Sequence, residues 1–348
     1  MNADRRLHYI YQNIISKIKK TENILIISNS FSPDYIKSVN PGFFLKSSFK
    51  DTFDYANKIG LKTELKKPLK FKYIIISQSL SKNETLSNVL FAIKKLSPEG
   101  NIVIEGHNKT GIKNTLNYFK KINSIDKIIS KYHGKIFLLD NKKLSKELLS
   151  DLKKIKKPLK IKNKYFTIPG VFSEKGIDKA SEYFTKIFDS NLNGYIADIG
   201  SGWGYLSAEA LKKSKNIKKI YLFELNKNAI DISKVNINDS RAVFKWVDIL
   251  KDDDVLFDFD YVICNPPFHK NKKIDFDLGK NFIKRGSEML NRNGIFLMVA
   301  NINLPYEKTL EKYFQNIKLL MSNNKFKIIE ARIPLKVKKI KFGKNYEH

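Results

Sequence analysis

Two short segments carry the residue types that chemistry needs. The first is Cys264-Asn265-Pro266-Pro267-Phe268-His269. Its two prolines remove two backbone donors and stiffen the turn, leaving carbonyl groups free to accept. The side-chain carbonyl of Asn265 and the backbone carbonyl of Pro266 can then converge on one NH₂ group, with Phe268 stacked on the ring that bears it. A planar exocyclic amine suits this arrangement. Its lone pair is delocalised into the ring, and two acceptors holding its hydrogens turn that lone pair toward an incoming methyl group. No strong base is required during attack, because the nitrogen can release its proton afterwards. Most of the rate then comes from alignment, an effect worth roughly 7 to 11 kcal/mol. His269 follows the turn and is read as facing solvent or a phosphate. Cys264 lies within the apolar run and is read as core rather than nucleophile.

The second segment is Asp198-Ile-Gly-Ser-Gly-Trp-Gly204. Gly200, Gly202 and Gly204 let the backbone turn sharply and approach a ligand closely. Glu224 closes the next apolar run, where a carboxylate can accept from two ribose hydroxyls, and Asp248 ends the third, placed to meet an adenine edge. A pyrophosphate held by helix N-terminal amides would not favour an Asp at the start of the loop. S-adenosylmethionine has no phosphate and carries an ammonium and a sulfonium, for which Asp198 is a suitable neighbour. The cofactor expected is therefore S-adenosylmethionine, bound by Asp198, Gly200, Gly202, Gly204, Glu224, Asp248 and Asn265. The residues expected to touch the reacting amine are Asn265, Pro266 and Phe268. No metal is expected: the single cysteine cannot build a thiolate site with neighbours.

Both segments must sit at the ends of strands. Apolar, β-rich runs alternate with helical patterns along the chain, the signature of βαβ units and a mostly parallel sheet. Strands are expected at Asn23–Ile27, Phe71–Ser77, Asn101–Glu105 and Lys135–Leu139, and again at Tyr195–Ile199, Lys219–Glu224, Ala242–Val247, Tyr261–Asn265 and Gly294–Ala300. A helix is expected over Glu84–Leu96, where Leu86, Val89, Leu90, Ile93 and Leu96 share one face. The fold class that follows is α/β: two tandem Rossmann-like domains, each a mostly parallel twisted sheet with helices on both faces.

The two halves repeat a rhythm. Tyr73-Ile-Ile-Ile-Ser77 and Tyr261-Val-Ile-Cys-Asn265 are each followed by a helix ending at Leu, a Gly-marked turn and another strand, which reads as a duplication. The copies differ where chemistry would sit. Ile27-Ser-Asn-Ser-Phe31 replaces the glycine cluster, and Ser77-Gln-Ser-Leu80 replaces Asn265-Pro-Pro-Phe268, so the first copy looks catalytically empty. Residues 151–164 hold seven Lys around Pro158 and show no sustained period, which reads as a linker. The divisions expected are a degenerate first domain at 1–150, the linker at 151–164, a catalytic domain at 165–334 and a basic tail at 335–348.

Composition limits the function classes. At 348 residues, with 42% hydrophobic and 12% aromatic residues, each half can bury a core, and wholesale disorder is excluded. Apolar runs such as Ile295–Ala300 fall far short of the roughly 18 residues of a membrane span. The first twenty residues lack a continuous apolar core of the secretory kind. A reducing cytoplasm and no membrane partner are expected. The net charge of +30 attracts polyanions. Only six basic residues are Arg, a skew that an AT-rich genome also produces. Residues 1–160 hold 32 basic and 13 acidic side chains, a net +19, so the emptier half carries more of the charge.

At these residues the chain resembles the class I S-adenosylmethionine-dependent methyltransferases that modify planar amino nitrogens. More narrowly, it is similar to the RsmC-type small-subunit ribosomal RNA guanine-N2 methyltransferases. Pro169-Gly-Val-Phe-Ser173 with Gly176 and Asp178, the glycine loop, the Asn-Pro-Pro-Phe-His segment, Val299-Ala-Asn301 and Leu304-Pro-Tyr306 carry the resemblance, together with the duplication. It implies methyl transfer to the N2 amine of a guanine in 16S ribosomal RNA, guanine-1207 in particular, with a first domain that aids folding and RNA binding. The implied partner is 16S rRNA or the 30S ribosomal subunit, met by a monomer in rRNA processing and ribosome biogenesis. Trp203, where a small residue is frequent, and the Lys-rich tail depart from the pattern. Adenine-N6 methylation would call for a recognition insertion that residues 195–300 lack. Glutamine-N5 methylation would leave the basic first half unexplained. A vestigial RNA-binding assembly factor would show decay of both segments, and both are intact.

Overall fold

The computed structural model describes residues 2–15, 22–30, 42–65, 69–252, 258–267, 269–270, 273–274 and 276–335. The chain divides into two units. The first comprises residues 1–159 and 167–174, and the second comprises 160–166 and 175–348.

The first unit is built on one six-stranded sheet. Its strands are β1 (Ile24–Ile27), β2 (Phe43–Lys46), β3 (Phe71–Ser77), β4 (Leu96–His107), β5 (Ile125–Lys131) and β6 (Gly134–Leu139), in the order β2-β1-β3-β4-β6-β5. Strands β1 to β4 run parallel, and the β5–β6 hairpin closes one edge antiparallel. Helices α1 (Asn2–Asn13), α2 (Lys50–Lys58), α3 (Lys82–Lys95), α4 (Ile112–Lys121) and α5 (Lys146–Lys156) complete the unit. Both faces of the sheet are buried, so successive strand residues go to opposite cores: Leu25, Ile27, Ile74 and Ile76 to one, Ile24, Ile26 and Ile75 to the other. That is why these strands are unbroken apolar runs.

The stretch read as a linker is partly helix. Residues 151–156 form the second half of α5, whose N-cap Ser145 accepts from the Leu148 N–H at 3.1 Å. Leu148 and Leu152, four residues apart, bury one face in the first core. The lysines fill the outer face and mask that period. The expected boundary at 150 therefore cuts a helix. Residues 167–174, expected in the catalytic domain, group with the first unit. Two short strands, β7 (Leu159–Ile161) and β8 (Tyr165–Thr167), pair nearby in sequence.

The second unit has a seven-stranded sheet. Its strands are β9 (Gly194–Ile199), β10 (Ile217–Glu224), β11 (Ala242–Trp246), β12 (Phe259–Cys264), β15 (Leu290–Asn301), β16 (Phe314–Ser322) and β17 (Phe326–Pro334), with β13 (His269–Lys270) and β14 (Lys273–Ile274) forming a separate two-stranded ladder. The order is β11-β10-β9-β12-β15-β17-β16, parallel through β15 and antiparallel beyond it. Helices α6 (Lys179–Phe184), α7 (Tyr205–Lys213), α8 (Lys227–Asn236), α9 (Phe276–Met289) and α10 (Glu307–Leu310) belong to this unit. Val262, Cys264 and Met298 face one core, and Ile263, Leu297 and Val299 face the other.

Strand for strand, the order of the first sheet repeats that of the second with one edge strand missing. An isolated parallel bridge between Phe44 and Lys62 stands where the counterpart of β11 would pair. The duplication expected from the two matching motifs is thus also a duplication of topology. No described helix is long and apolar enough to cross a membrane.

Candidate active site

The parallel strands of the second unit bring their C-terminal ends to one rim, where connecting loops can hold a ligand. Register places Asp198 between Leu222 and Ile263, and it sets Ile199 opposite Phe223 and Cys264. The glycine loop, Glu224 and Asn265 therefore leave three adjacent strands at the same level.

Gly200, Gly202 and Gly204 all adopt positive φ, at 74°, 55° and 87°. The Gly200 and Ser201 N–H groups both donate to the Phe223 carbonyl, which bends the chain off β9. Gly204 then starts α7. A Cβ on Gly202 would meet nothing within 4 Å, so the loop borders open space there. Trp203 turns inward: it is buried, and its ring lies 5.6 Å from those of Tyr165 and Tyr205. Its carbonyl accepts from Asn236, which anchors the loop to α8.

Two carboxylates flank the loop. Asp198 is fully buried, and one oxygen accepts the Ser207 hydroxyl at 2.6 Å. Among the described residues its other oxygen, Oδ1, has no hydrogen-bond partner, and neither does the buried hydroxyl of Ser201. Burial, with the nearby Glu224 charge adding to it, pushes the Asp198 carboxyl up to about 7. Glu224 accepts from Gly202 N–H through Oε2 and from Asn226 N–H through Oε1, each at 2.8 Å. Burial raises its carboxyl above the usual range, and these backbone donors oppose the shift. An orphaned buried carboxylate oxygen beside an open glycine turn fits a ligand bearing a cation, as S-adenosylmethionine does. Each Glu224 oxygen retains a lone pair for a further donor. Asp248 lies two residues past β11. It is largely engaged in its own turn: Oδ1 accepts from Leu250 N–H at 3.2 Å, and Oδ2 pairs with Lys251 at 2.9 Å.

Asn265 follows the last residue of β12. Both of its amide hydrogens are used, toward Asp178 Oδ2 at 3.0 Å and Ser181 Oγ at 2.8 Å. Among the described residues nothing donates to its Oδ1. Asp178 is the N-cap of α6 and accepts the Ser181 N–H at 2.8 Å through the same oxygen. Pro266 is buried beside it. Phe268 lies outside the described residues, as do the side chain of His269 and the tail beyond residue 335. Cys264 is wholly buried, and burial pushes its thiol well above the ordinary value, which removes it as a nucleophile.

The expected residues thus fall together: Asp198, Gly200, Gly202, Gly204, Glu224 and Asn265 share one rim, with Asp248 beside them and turned partly aside. Ser207, Ser181 and the capping role of Asp178 were not foreseen. Asp178 and Ser181 stand three apart at the start of a helical pattern, which signals a cap. Nothing local links that cap to a residue more than eighty positions away.

Several known proteins are similar to this chain. The methyltransferase small domain family matches residues 162–330. Ribosomal RNA small subunit methyltransferase C of Shewanella halifaxensis is 30% identical over 268 residues, covering 71% of this chain and 74% of the relative. The protein of the same name from Psychromonas ingrahamii is 28% identical over 276 residues, covering 75% and 76%. Among solved structures, T. thermophilus 16S rRNA N2 G1207 methyltransferase (RsmC) in complex with AdoMet and guanosine superposes with a TM-score of 0.73. It is 16% identical, and the match covers 93% of this chain and 92% of that one.

Proposed function

The chain belongs to the ribosomal RNA small subunit methyltransferase C family, and from that premise we propose that it transfers a methyl group from S-adenosylmethionine to the N2 amine of a guanine in 16S rRNA, with guanine-1207 as the nucleotide. The observation that carries this reading is the fixed polarity of the Asn265 amide. Its N–H groups are held by α6, leaving a carbonyl oxygen at the strand end beside the glycine loop. With the Pro266 carbonyl, that oxygen would take the two hydrogens of a planar amine and aim its lone pair, while Phe268 would stack on the base. When bound, S-adenosylmethionine supplies an electrophilic methyl on sulfonium, a group that leaves neutral.

In this reading Asp198 balances the cationic end of the cofactor, Glu224 accepts from its ribose while tethering Gly202, and Asp248 meets its adenine. The second unit forms the catalytic domain, the first unit acts in folding and in RNA binding, and the tail at 335–348 adds to the grip on RNA. Among the described residues the first unit presents no counterpart of the second unit's carboxylate and open glycine turn. In register, Lys46 pairs with Ile27 as Phe223 pairs with Ile199, so Ser47 stands where Glu224 does. There Ser47 and Ser48 hydroxyls donate to Asn29, whose own amide donates to the buried Glu84 at 2.8 Å. A closed polar network replaces an open cradle. The protein works as a cytoplasmic monomer on 16S rRNA or the 30S subunit.

The test is transfer of labelled methyl from S-adenosylmethionine to small-subunit RNA, with the modified nucleoside identified by mass. N2-methylguanosine at the stated nucleotide is expected. N6-methyladenosine, or no RNA product with 16S rRNA and 30S subunits both supplied, would overturn it.

A further inference from the structure

We infer that Asp178 and Ser181 are positioning residues for methyl transfer: from the start of α6 they hold the Asn265 amide in the one orientation that presents its carbonyl oxygen to the target amine. This inference rests on the reading of Asn265 given above. A carboxamide is nearly symmetric in shape, so exchanging Oδ1 and Nδ2 by rotation carries little steric cost. Hydrogen-bond chemistry breaks that symmetry here. A carboxylate oxygen has no proton to give, so with the amide reversed Oδ1 would face Asp178 Oδ2 across 3.0 Å, acceptor against acceptor. The N–H groups would then meet the target amine, donor against donor. Ser181 Oγ, 2.8 Å from Nδ2, takes the second amide hydrogen and anchors the group, but a hydroxyl can also donate to a reversed amide, so the choice of orientation is made by the Asp178 carboxylate.

The device is also tied to the backbone. The Asp178 oxygen that receives Asn265 is the one that caps α6 by accepting Ser181 N–H at 2.8 Å. Helix start and amide orientation therefore share a single atom. Ser181 is buried, and water does not compete freely for its contacts.

The full chain, assayed with S-adenosylmethionine and small-subunit RNA, tests this. Asp178→Ala should lower kcat by about tenfold or more through lost alignment, while cofactor Kd stays at the wild-type value. Losing the cap could produce part of that loss, so two further variants separate the roles. Asp178→Ser keeps an N-cap acceptor, but its shorter side chain does not span to Asn265. It should restore Tm and leave kcat low. Asp178→Asn can place its own carbonyl oxygen where the shared oxygen lies, and it should recover both. A kcat that follows Tm through the series, with Asp178→Ser fully active, would reduce Asp178 to a helix cap and overturn the inference. A wild-type chain that leaves guanine N2 unmodified would overturn the reading of Asn265 and this inference together. An active wild type whose Asp178→Ala variant keeps its kcat would overturn the inference alone.

Discussion

Asp198 receives the Ser207 hydroxyl at 2.6 Å on one carboxylate oxygen and, among the described residues, no hydrogen bond on the other. A buried carboxylate satisfied on one side is costly to ionise, which is why its proton is held up to about 7 against an ordinary 3.8. Between those values the folded chain keeps a proton that the unfolded chain has lost, so this group makes stability fall as pH rises from about 4 to about 7. Asp198→Asn should remove that slope and raise Tm of the ligand-free protein at pH 8 relative to wild type. The same substitution should weaken S-adenosylmethionine binding, because no anion is left to face the ammonium. Melting curves at pH 6 and 8 with calorimetric titration check both. A variant less stable than wild type at pH 8 would show that Asp198 is not under this strain.

Affinity for the cofactor should rise with pH through about 7, since a cation stabilises the ionised Asp198. Isothermal titrations in two buffers of different ionisation enthalpy would register proton release on binding near pH 6.5. Binding with no linked proton would detach Asp198 from the cationic end of the ligand.

Glu224 holds the glycine loop through Gly202 as well as facing the expected ribose. Glu224→Ala removes charge-assisted hydrogen bonds of about 1.5 to 3 kcal/mol each. Cofactor Kd should increase by roughly one to two decades, with RNA affinity unchanged. Unaltered cofactor binding would take Glu224 out of the site.

Asn265→Ala should abolish methyl transfer, by on the order of 10² or more, while cofactor binding survives. Turnover near the wild-type rate would refute alignment as the source of catalysis.

How much of this was readable in advance depended on burial. Phe71–Ser77 was legible to the residue because a strand covered on both faces must be apolar at nearly every position. The edge strand β16, beyond its buried Phe314, leaves Gln315, Asn316, Lys318 and even Leu319 exposed, with Ile317 and Leu320 partly buried, and has no comparable signature, and α5 hid its Leu148 and Leu152 among lysines. The glycine loop announced itself because three positive-φ positions within five residues strongly favour glycine. The Asn265 contact with Asp178 spans 87 positions, and no local pattern encodes a partner chosen by the packing of α6 against the sheet.

Arg6 and Glu105 form a buried pair in the first unit, with Nε to Oε2 at 2.6 Å. A second Arg6 nitrogen donates to the Tyr132 carbonyl, in a turn where Tyr132 and His133 both take positive φ. Arg6→Ala would strand the Glu105 charge and remove that support. A loss of about 3 to 5 kcal/mol is expected, read as a lower urea midpoint of the first unit. Replacing both residues with Met should cost less, because no charge is then left unpaired. If the double variant proved no more stable than Arg6→Ala, the pair would not be the origin of the loss.

The first unit should bind RNA and no S-adenosylmethionine. Residues 1–160 carry a net +19, while Ser47 occupies the register position of Glu224 and Asn29 is tied to Glu84 and Ser48. A guanine presented to Asn265 must leave its stack at a cost of a few kcal/mol, and a basic surface gripping the flanking phosphates offsets it. RNA affinity of the full chain should therefore fall steeply with salt, as phosphate contacts release counterions. Reversing Lys113, Lys120 and Lys121 on α4 to Glu should raise KM for RNA and flatten the salt slope, with cofactor Kd unchanged. Cofactor stoichiometry by calorimetry should be one per chain, and Glu224→Ala should weaken that single event rather than expose a second. Two binding events, or charge reversal that leaves RNA affinity and its salt slope where they were, would return the lysine excess to genomic drift and the first unit to a purely structural role.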